Sequence, residues 1–175
     1  MTTLRQPHSF EPQITAFYCL YCGYMAADTA GIVRIQYPAN VKFIRLPCSG
    51  KTDIRYILEA FEQGADGVYI VACPIGNCHH VRGNERGLAR VNRAKSLLDD
   101  IGLGGDRLEI FFMSGGQGHT FAMCAQQMVD RVRALGPNPL KKPQAVQVES
   151  VEKVPDEDEG YRDRRLPYHK PKDPK

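Results

Sequence analysis

The sequence predicts an α/β fold: a four-stranded, mostly parallel sheet with helices on both faces, three layers in all, followed by an extended C-terminal tail. Three observations carry this expectation. Short apolar runs alternate four times with stretches of helical spacing between residues 14 and 137, the order that builds a parallel sheet through right-handed crossovers. One run, residues 67–72, is apolar without interruption, as a strand covered on both faces should be. Glycine or proline closes each helical stretch, at Pro38, Gly64, Gly102 and Gly136-Pro137.

Residues 1–13, with Pro7 and Pro12, read as an extended lead-in. The first strand, Ile-Thr-Ala-Phe-Tyr at 14–18, is short and partly β-branched, and it runs into Cys19 and Cys22. Alanine-rich residues 24–35 then predict a helix, weakened by Gly31 and stopped before Pro38. Residues 41–46 form the second strand, which leads through Pro47 to Cys48. The next helix takes Thr52 or Asp53 as its N-cap, sets Ile54, Ile57, Leu58 and Phe61 on one face and ends at Gly64 in a left-handed cap. The third strand, 67–72, delivers Cys73, with Cys78 shortly after. A helix from about Glu85 to Ile101 follows, with Leu88, Val91, Leu98 and Ile101 facing the core. Residues 107–113 are the fourth strand and 114–118 a glycine-rich turn. Phe121, Ala125, Met128, Val129, Val132 and Leu135 line the last helix. The layout is flavodoxin- or Rossmann-like over residues 14–137. Residues 138–175, with an acidic block at 156–159 and a basic one at 162–165, bury too little to fold alone and read as a flexible or partner-docking tail.

Composition narrows the function. At 175 residues, 42% hydrophobic and 25% charged, the chain has room for one domain with a real core. No apolar stretch approaches the ~18 residues of a membrane span, and the N-terminus lacks the apolar core and cleavage site of a secretory signal. A cytoplasmic protein with reduced thiols is expected. The net charge of +3 comes from scattered basic residues without interleaved aromatics, which argues against nucleic-acid binding.

In that setting clustered cysteines point to metal or redox chemistry rather than to disulfide staples. Ligands of open parallel sheets bind outside the carboxyl ends of the strands. Cys19, Cys22, Cys48, Cys73 and Cys78 all fall at that edge, so thiols distant in sequence converge on one volume. An all-thiolate set suits a structural zinc ion or an iron–sulfur cluster. Because the core is already adequate without a metal staple, the cluster is the better reading. Metal-free thiol–disulfide exchange at Cys19-x-x-Cys22 is a third, but it leaves Cys48, Cys73 and Cys78 without a task. Cys124, inside the last helix, is read as a core residue.

Weaker signals compete with plainer readings. Ser49-Gly-Lys-Thr52 resembles the end of a P-loop, yet Arg45 stands where that motif requires glycine. Gly115-Gly-Gln-Gly118 suits an anion or, equally, a tight turn. His79 and His80 adjoin Cys78 as ligands, hydrogen-bond donors or solvent-facing groups, and Asp28, Arg34 and Arg82 are placed near the same edge.

Several motifs together resemble one family. They are Cys19-Leu-Tyr-Cys22-Gly-Tyr-Met-Ala-Ala-Asp28-Thr-Ala-Gly31, Arg-Ile-Gln-Tyr-Pro at 34–38, Ile-Arg-Leu-Pro-Cys-Ser-Gly at 44–50, Ala-Phe-Glu-Gln-Gly-Ala-Asp-Gly-Val at 60–68, Cys73-x4-Cys78-His79 and Gly83-Asn84. The combination resembles the delta subunit of methyl-viologen-reducing (F420-non-reducing) hydrogenases over residues 14–137. The resemblance implies a [2Fe–2S] electron-transfer subunit. It would relay electrons from a hydrogenase, formate dehydrogenase or other donor module to the flavin subunit of a heterodisulfide reductase-type, electron-bifurcating complex. It also implies that the family's cysteines match Cys19, Cys22, Cys48, Cys73 and Cys78. A [2Fe–2S] cluster takes four thiolates, leaving one of the five over. Gln117, where the family leads one to expect an acidic residue, is a departure. Backbone N–H groups at Ser49-Gly50 and at 75–77 are the expected tuners of such a centre.

Overall fold

The computed structural model describes residues 10–141. Its strands are β1 (Ile14–Cys19), β2 (Val41–Leu46), β3 (Gly67–Ala72) and β4 (Leu108–Phe112). Its helices are α1 (Gly23–Ile32), α2 (Ile54–Glu62), α3 (Gly83–Asp100) and α4 (Gly118–Leu135), with short 3-10 turns at Ser49–Lys51 and Gly105–Arg107. The four strands form one parallel sheet in the order β2-β1-β3-β4. The expected α/β architecture, with helices on both faces, is what the chain adopts.

Every residue of β1 and β3 is buried, because these inner strands are covered on both faces. On one face α1 and α4 pack over Tyr18 and Tyr69, with Phe121 and Met128 of α4 in the same core cluster. On the other, α2 and α3 cover Phe17, Ile70, Val91 and Leu108. Tyr18 and Tyr69 bury their hydroxyls inside the first layer and satisfy each other across 2.7 Å. Burial pushes both phenols well above their ordinary range.

The elements and their facings differ from expectation in four places. Helix α1 ends at Ile32 rather than near residue 35, because Arg34 takes a left-handed backbone (φ 55°) and the Ile35 N–H turns back to the Ala30 carbonyl. Helix α3 starts at Gly83, two residues early, and Ile101 lies beyond its end, 63% exposed, while Ala94 takes the core position. Leu135, at the end of α4, is 42% exposed. Arg107 belongs to the turn before β4, where its buried guanidinium donates to the carbonyls of Leu103, Asp66, Leu135, Gly136 and Pro137.

Arg107 works beside a buried carboxylate at the amino edge of the sheet. Asp66, fully buried, accepts from the Gln13 N–H, the Asn138 N–H and the Lys141 ammonium. Asn138 in turn donates its side-chain amide to the Phe61 and Ala65 carbonyls. These bonds fasten the segment before β1 and the segment after α4 to the loop before β3. Beyond Lys141 the expected tail lies outside the described residues, as do residues 1–9 of the lead-in. No described helix is long and apolar enough to cross a membrane.

On edge strand β4, Glu109 joins the two helical layers, accepting from Lys95 on α3 at 3.1 Å and Arg131 on α4 at 2.9 Å. Burial pushes this carboxyl up, but Arg131, the Ile110 N–H and Lys95 outweigh it and hold it below the usual range.

Two outcomes are expected. Asp66→Ala strands two backbone N–H groups and lowers unfolding stability by roughly 3 kcal/mol, read by chemical denaturation. Glu109→Gln costs about 1 kcal/mol at neutral pH. Because the native carboxyl is depressed, its contribution is present above the unfolded value near ~4.3 and is lost as pH falls through the lower native value. The gap between parent and variant in a pH series should therefore close in acid, and a constant gap would refute the assignment.

Candidate metal centre

The strand order makes a crevice at the carboxyl edge. The chain leaves β1 toward β2 on one side and β3 toward β4 on the other, so the connections diverge above the ends of the two inner strands. Cys19 is the last residue of β1 and Cys73 follows β3 directly, which sets their sulfurs 3.8 Å apart. Cys22 occupies the N-cap of α1 but accepts no capping bond, and its thiol shares the electrostatic surroundings of Cys73, Cys19 and Cys78. Cys48 caps the 3-10 turn after β2, its sulfur accepting the Gly50 N–H at 3.4 Å, and its thiol pairs with Cys78. Each group feels the other, Cys19 acting on Cys48 and Cys78 on Cys22. The structure thus brings all five sequence-predicted thiols to one edge. Cys124 lies apart, buried in the layer of Tyr18 and Tyr69.

Close backbone approach makes this possible. Helix α3 runs hard against the Ser49–Lys51 turn. A Cβ on Gly50 would stand 2.9 Å from the Gly83 Cα, and one on Gly83 would overlap the Cys48 sulfur and lie 3.3 Å from that of Cys78. Arg90 of α3 pins the turn by donating to the Gly50 and Thr52 carbonyls. Asn84, fully buried, holds the start of the cysteine loop: its amide donates to the Cys73 carbonyl (3.1 Å) and the Pro74 carbonyl (2.7 Å), and its oxygen accepts the Glu85 N–H (2.9 Å). Tyr21, between Cys19 and Cys22, stacks on His79 with ring centroids 3.7 Å apart and so ties two cysteine loops together. The roles of Asn84, Arg90 and Tyr21 were not read from the sequence. A buried asparagine just past a paired glycine was the available signal for the first.

The thiols differ in electrostatic setting. Burial raises Cys22, Cys48 and Cys73 above their ordinary value, most strongly Cys73, where the Cys22 and Cys19 thiols add to it and the His79 N–H offsets part. Cys78 goes the other way: burial pushes it up, but the N–H groups of Asn84, His80 and Gly83 and the Cys48 thiol bring it below.

The remaining sequence signals resolve locally. The 115–118 loop is a turn closed by Gln117, whose oxygen accepts the Ser114 N–H, and it packs on α1 through the Gly115 carbonyl and Thr29 hydroxyl. Arg34 lies past the far end of α1, away from the cysteines, which corrects its expected placement. Arg82 pairs with Glu85 at 2.6 Å. A cleft of about 590 Å³ beside β2 and α2 is lined by Phe17, Ile44, Tyr56 and their neighbours and by none of the cysteines.

Among the described residues no three Cys, His, Asp or Glu side chains are gathered to hold a single metal ion; the thiol pair in contact is Cys19 with Cys73. Donor type, burial and sulfur-directed N–H groups nonetheless fit an iron–sulfur group.

Residues 14–136 match the family model described as methyl-viologen-reducing hydrogenase, delta subunit. The chain belongs to this family. A relative from Methanocaldococcus jannaschii, named as the iron-sulfur subunit of the vhu F420-non-reducing hydrogenase, is 50% identical over 131 residues, covering 75% of this chain and 98% of that one. Its counterpart from Methanococcus maripaludis, which carries the same name, matches to the same extent. The delta-subunit sequence also matches part of a longer protein from Methanosarcina acetivorans, one of the subunits of the ferredoxin/F(420)H(2)-dependent CoB-CoM heterodisulfide reductase. That match is 35% identical over 143 residues, 82% of this chain but 18% of the relative.

Gly83→Ala should lower the iron content of anaerobically purified protein several-fold while leaving the circular dichroism of the fold in place. Gly31→Ala, with no atom within 4 Å of its new methyl, should leave iron content unchanged.

Proposed function

We propose that this delta subunit is an electron-transfer protein that carries a [2Fe–2S] cluster on four of Cys19, Cys22, Cys48, Cys73 and Cys78. In this reading it relays electrons between a hydrogenase, formate dehydrogenase or other donor module and the flavin subunit of a heterodisulfide reductase-type, electron-bifurcating complex. The observation that carries the reading is the division of the thiols: Cys48 and Cys78 against Gly83 on one side, Cys19 and Cys73 at the ends of the inner strands on the other. A two-iron cluster asks for two thiolates on each iron, whereas a structural zinc site gathers four donors around one ion. The relatives' names support the setting, some being iron-sulfur subunits of hydrogenases and another belonging to a heterodisulfide reductase.

When bound, the cluster supplies a one-electron centre. This chain's residues do the rest. Cys73 and Cys19 root the site in the two inner strands, Asn84 and the Tyr21–His79 stack hold the loops that carry the thiols, and the Gly50 N–H donates to a sulfur. The expected N–H donor after Cys48 is found at Gly50. In the turn after Cys73 the Asn77 N–H is taken by the Pro74 carbonyl at 3.0 Å. Metal-free disulfide exchange is less well served, since Cys22 is raised by burial and lies against Cys73 rather than forming an activated Cys-x-x-Cys pair.

An EPR spectrum of the anaerobically purified, dithionite-reduced protein, taken with iron, zinc and sulfide content, tests the proposal. About two irons and two sulfides per chain with a reduced-cluster signal is the expected result; a silent spectrum with stoichiometric zinc overturns it. Cys73→Ser should abolish the chromophore and Cys124→Ser should keep it.

A further inference from the structure

The two ends of the thiol cluster are built differently. Cys19 and Cys73 sit at strand ends, 1% and 0% exposed, in the apolar core of the sheet. The sulfurs of Cys48 and Cys78 instead face backbone donors. Gly50 donates to Cys48 at 3.4 Å, and Cys78 lies against the free N-terminus of α3, its sulfur 3.3 Å from where a Cβ on Gly83 would stand.

The backbone between Cys78 and α3 is bent to make this nest. Val81, β-branched and 81% exposed, is held in a left-handed conformation (φ 61°), with its N–H on the Cys78 carbonyl at 3.0 Å and the Arg82 N–H on His80. A β-branched residue rarely adopts that conformation, and it persists where neighbours enforce it. Successive N–H groups in such a turn form a concavity for negative charge. Cys22, by contrast, stands at the N-cap of α1 without a capping bond on its sulfur, and the sulfurs of Cys19 and Cys73 face each other at 3.8 Å.

On the reading that the thiols hold a two-iron cluster, we propose that the site is electronically lopsided. Cys48 and Cys78 hold the iron that takes up the electron, and two of Cys19, Cys22 and Cys73 hold the iron that stays ferric. The step is the gain of one electron from a one-electron donor, dithionite in the test or a reduced redox protein in the complex. No bond is made or broken, and the electron is later returned to an acceptor. Added charge settles where sulfur accepts most hydrogen bonds, because those bonds strengthen as the sulfur becomes more negative. The Gly50 N–H and the free N-terminus of α3 beside Cys78 therefore set both the place of the electron and part of the potential.

The test uses the full-length protein loaded with its cluster. If the parent shows no reduced-cluster EPR signal, the cluster reading itself fails. With that signal present, redox titration of serine variants reads the asymmetry, since a harder oxygen ligand favours ferric iron. Cys78→Ser or Cys48→Ser should shift the oxidised-to-reduced ratio at least tenfold, about 59 mV for one electron, and change the g values. Cys19→Ser and Cys73→Ser should shift it less; the reverse order overturns the proposal. Should a serine variant fail to assemble, pulsed EPR on the labelled parent decides instead. Asn77 and Asn84 flank Cys78, and Asn40, Asn92 and Asn138 lie elsewhere. Resolved 15N couplings from [15N]asparagine are expected, and couplings from [15N]tyrosine without them overturn the proposal.

Discussion

The geometry of the thiol edge depends on a contact that only glycine permits. Helix α3 meets the Ser49–Lys51 turn with backbone against backbone, Gly50 on Gly83. One methyl at either position would drive the two apart. That approach places the first turn of α3 over the Cys48 and Cys78 sulfurs, sets Asn84 where it can hold the Cys73 carbonyl, and lets Arg90 reach back to cap the turn. The parallel sheet supplies the platform, but the spacing of the thiols is decided by this seam. The strongly apolar β1 and β3 are the complementary requirement, since a rigid, doubly covered pair of inner strands fixes Cys19 and Cys73 before the loops are added.

The fold was legible because parallel α/β proteins write their layers into the sequence. Uninterrupted apolar runs at 14–18 and 67–72 and the amphipathic spacing of Ile54, Ile57 and Phe61 admit few other arrangements. The recurrence of cysteine after each of the first three strands made convergence legible too, because topology puts the carboxyl ends of parallel strands side by side. What escaped was decided by long-range geometry. Nothing local to Ile101 says that Gly102 leaves it in solvent while Ala94 fills the core. Arg107 read as the start of a strand because its destination, a set of carbonyls beyond residue 134, is invisible from its neighbours. Asn84 looked like part of a motif without a task, since a side-chain amide bound to two carbonyls ten residues back leaves no period in the sequence.

The glycine loop at 115–118 carries the opposite lesson. Its composition suggested an anion cradle as readily as a turn. In the fold Gln117 closes it, and a Cβ on Gly118 would stand 2.7 Å from the Ala30 nitrogen, so the glycines serve the packing of α4 on α1. Glycine in this chain repeatedly marks a place where two backbones touch, and at the α3 seam that contact also shapes the site.

Asp66 has a consequence for evolution. A single buried carboxylate receives the chain at Gln13, just before the first strand, and again at Asn138, just after the last helix. Both points of attachment therefore lie at the amino edge of the sheet, opposite the cysteines. A unit tied in this way can be spliced into a larger polypeptide as a cassette, with its linkers leaving from the back while the thiol edge stays exposed. The same domain does recur within a much longer reductase polypeptide, where it accounts for less than a fifth of the length. In this chain the carboxylate clasp keeps both attachment points clear of the thiol edge.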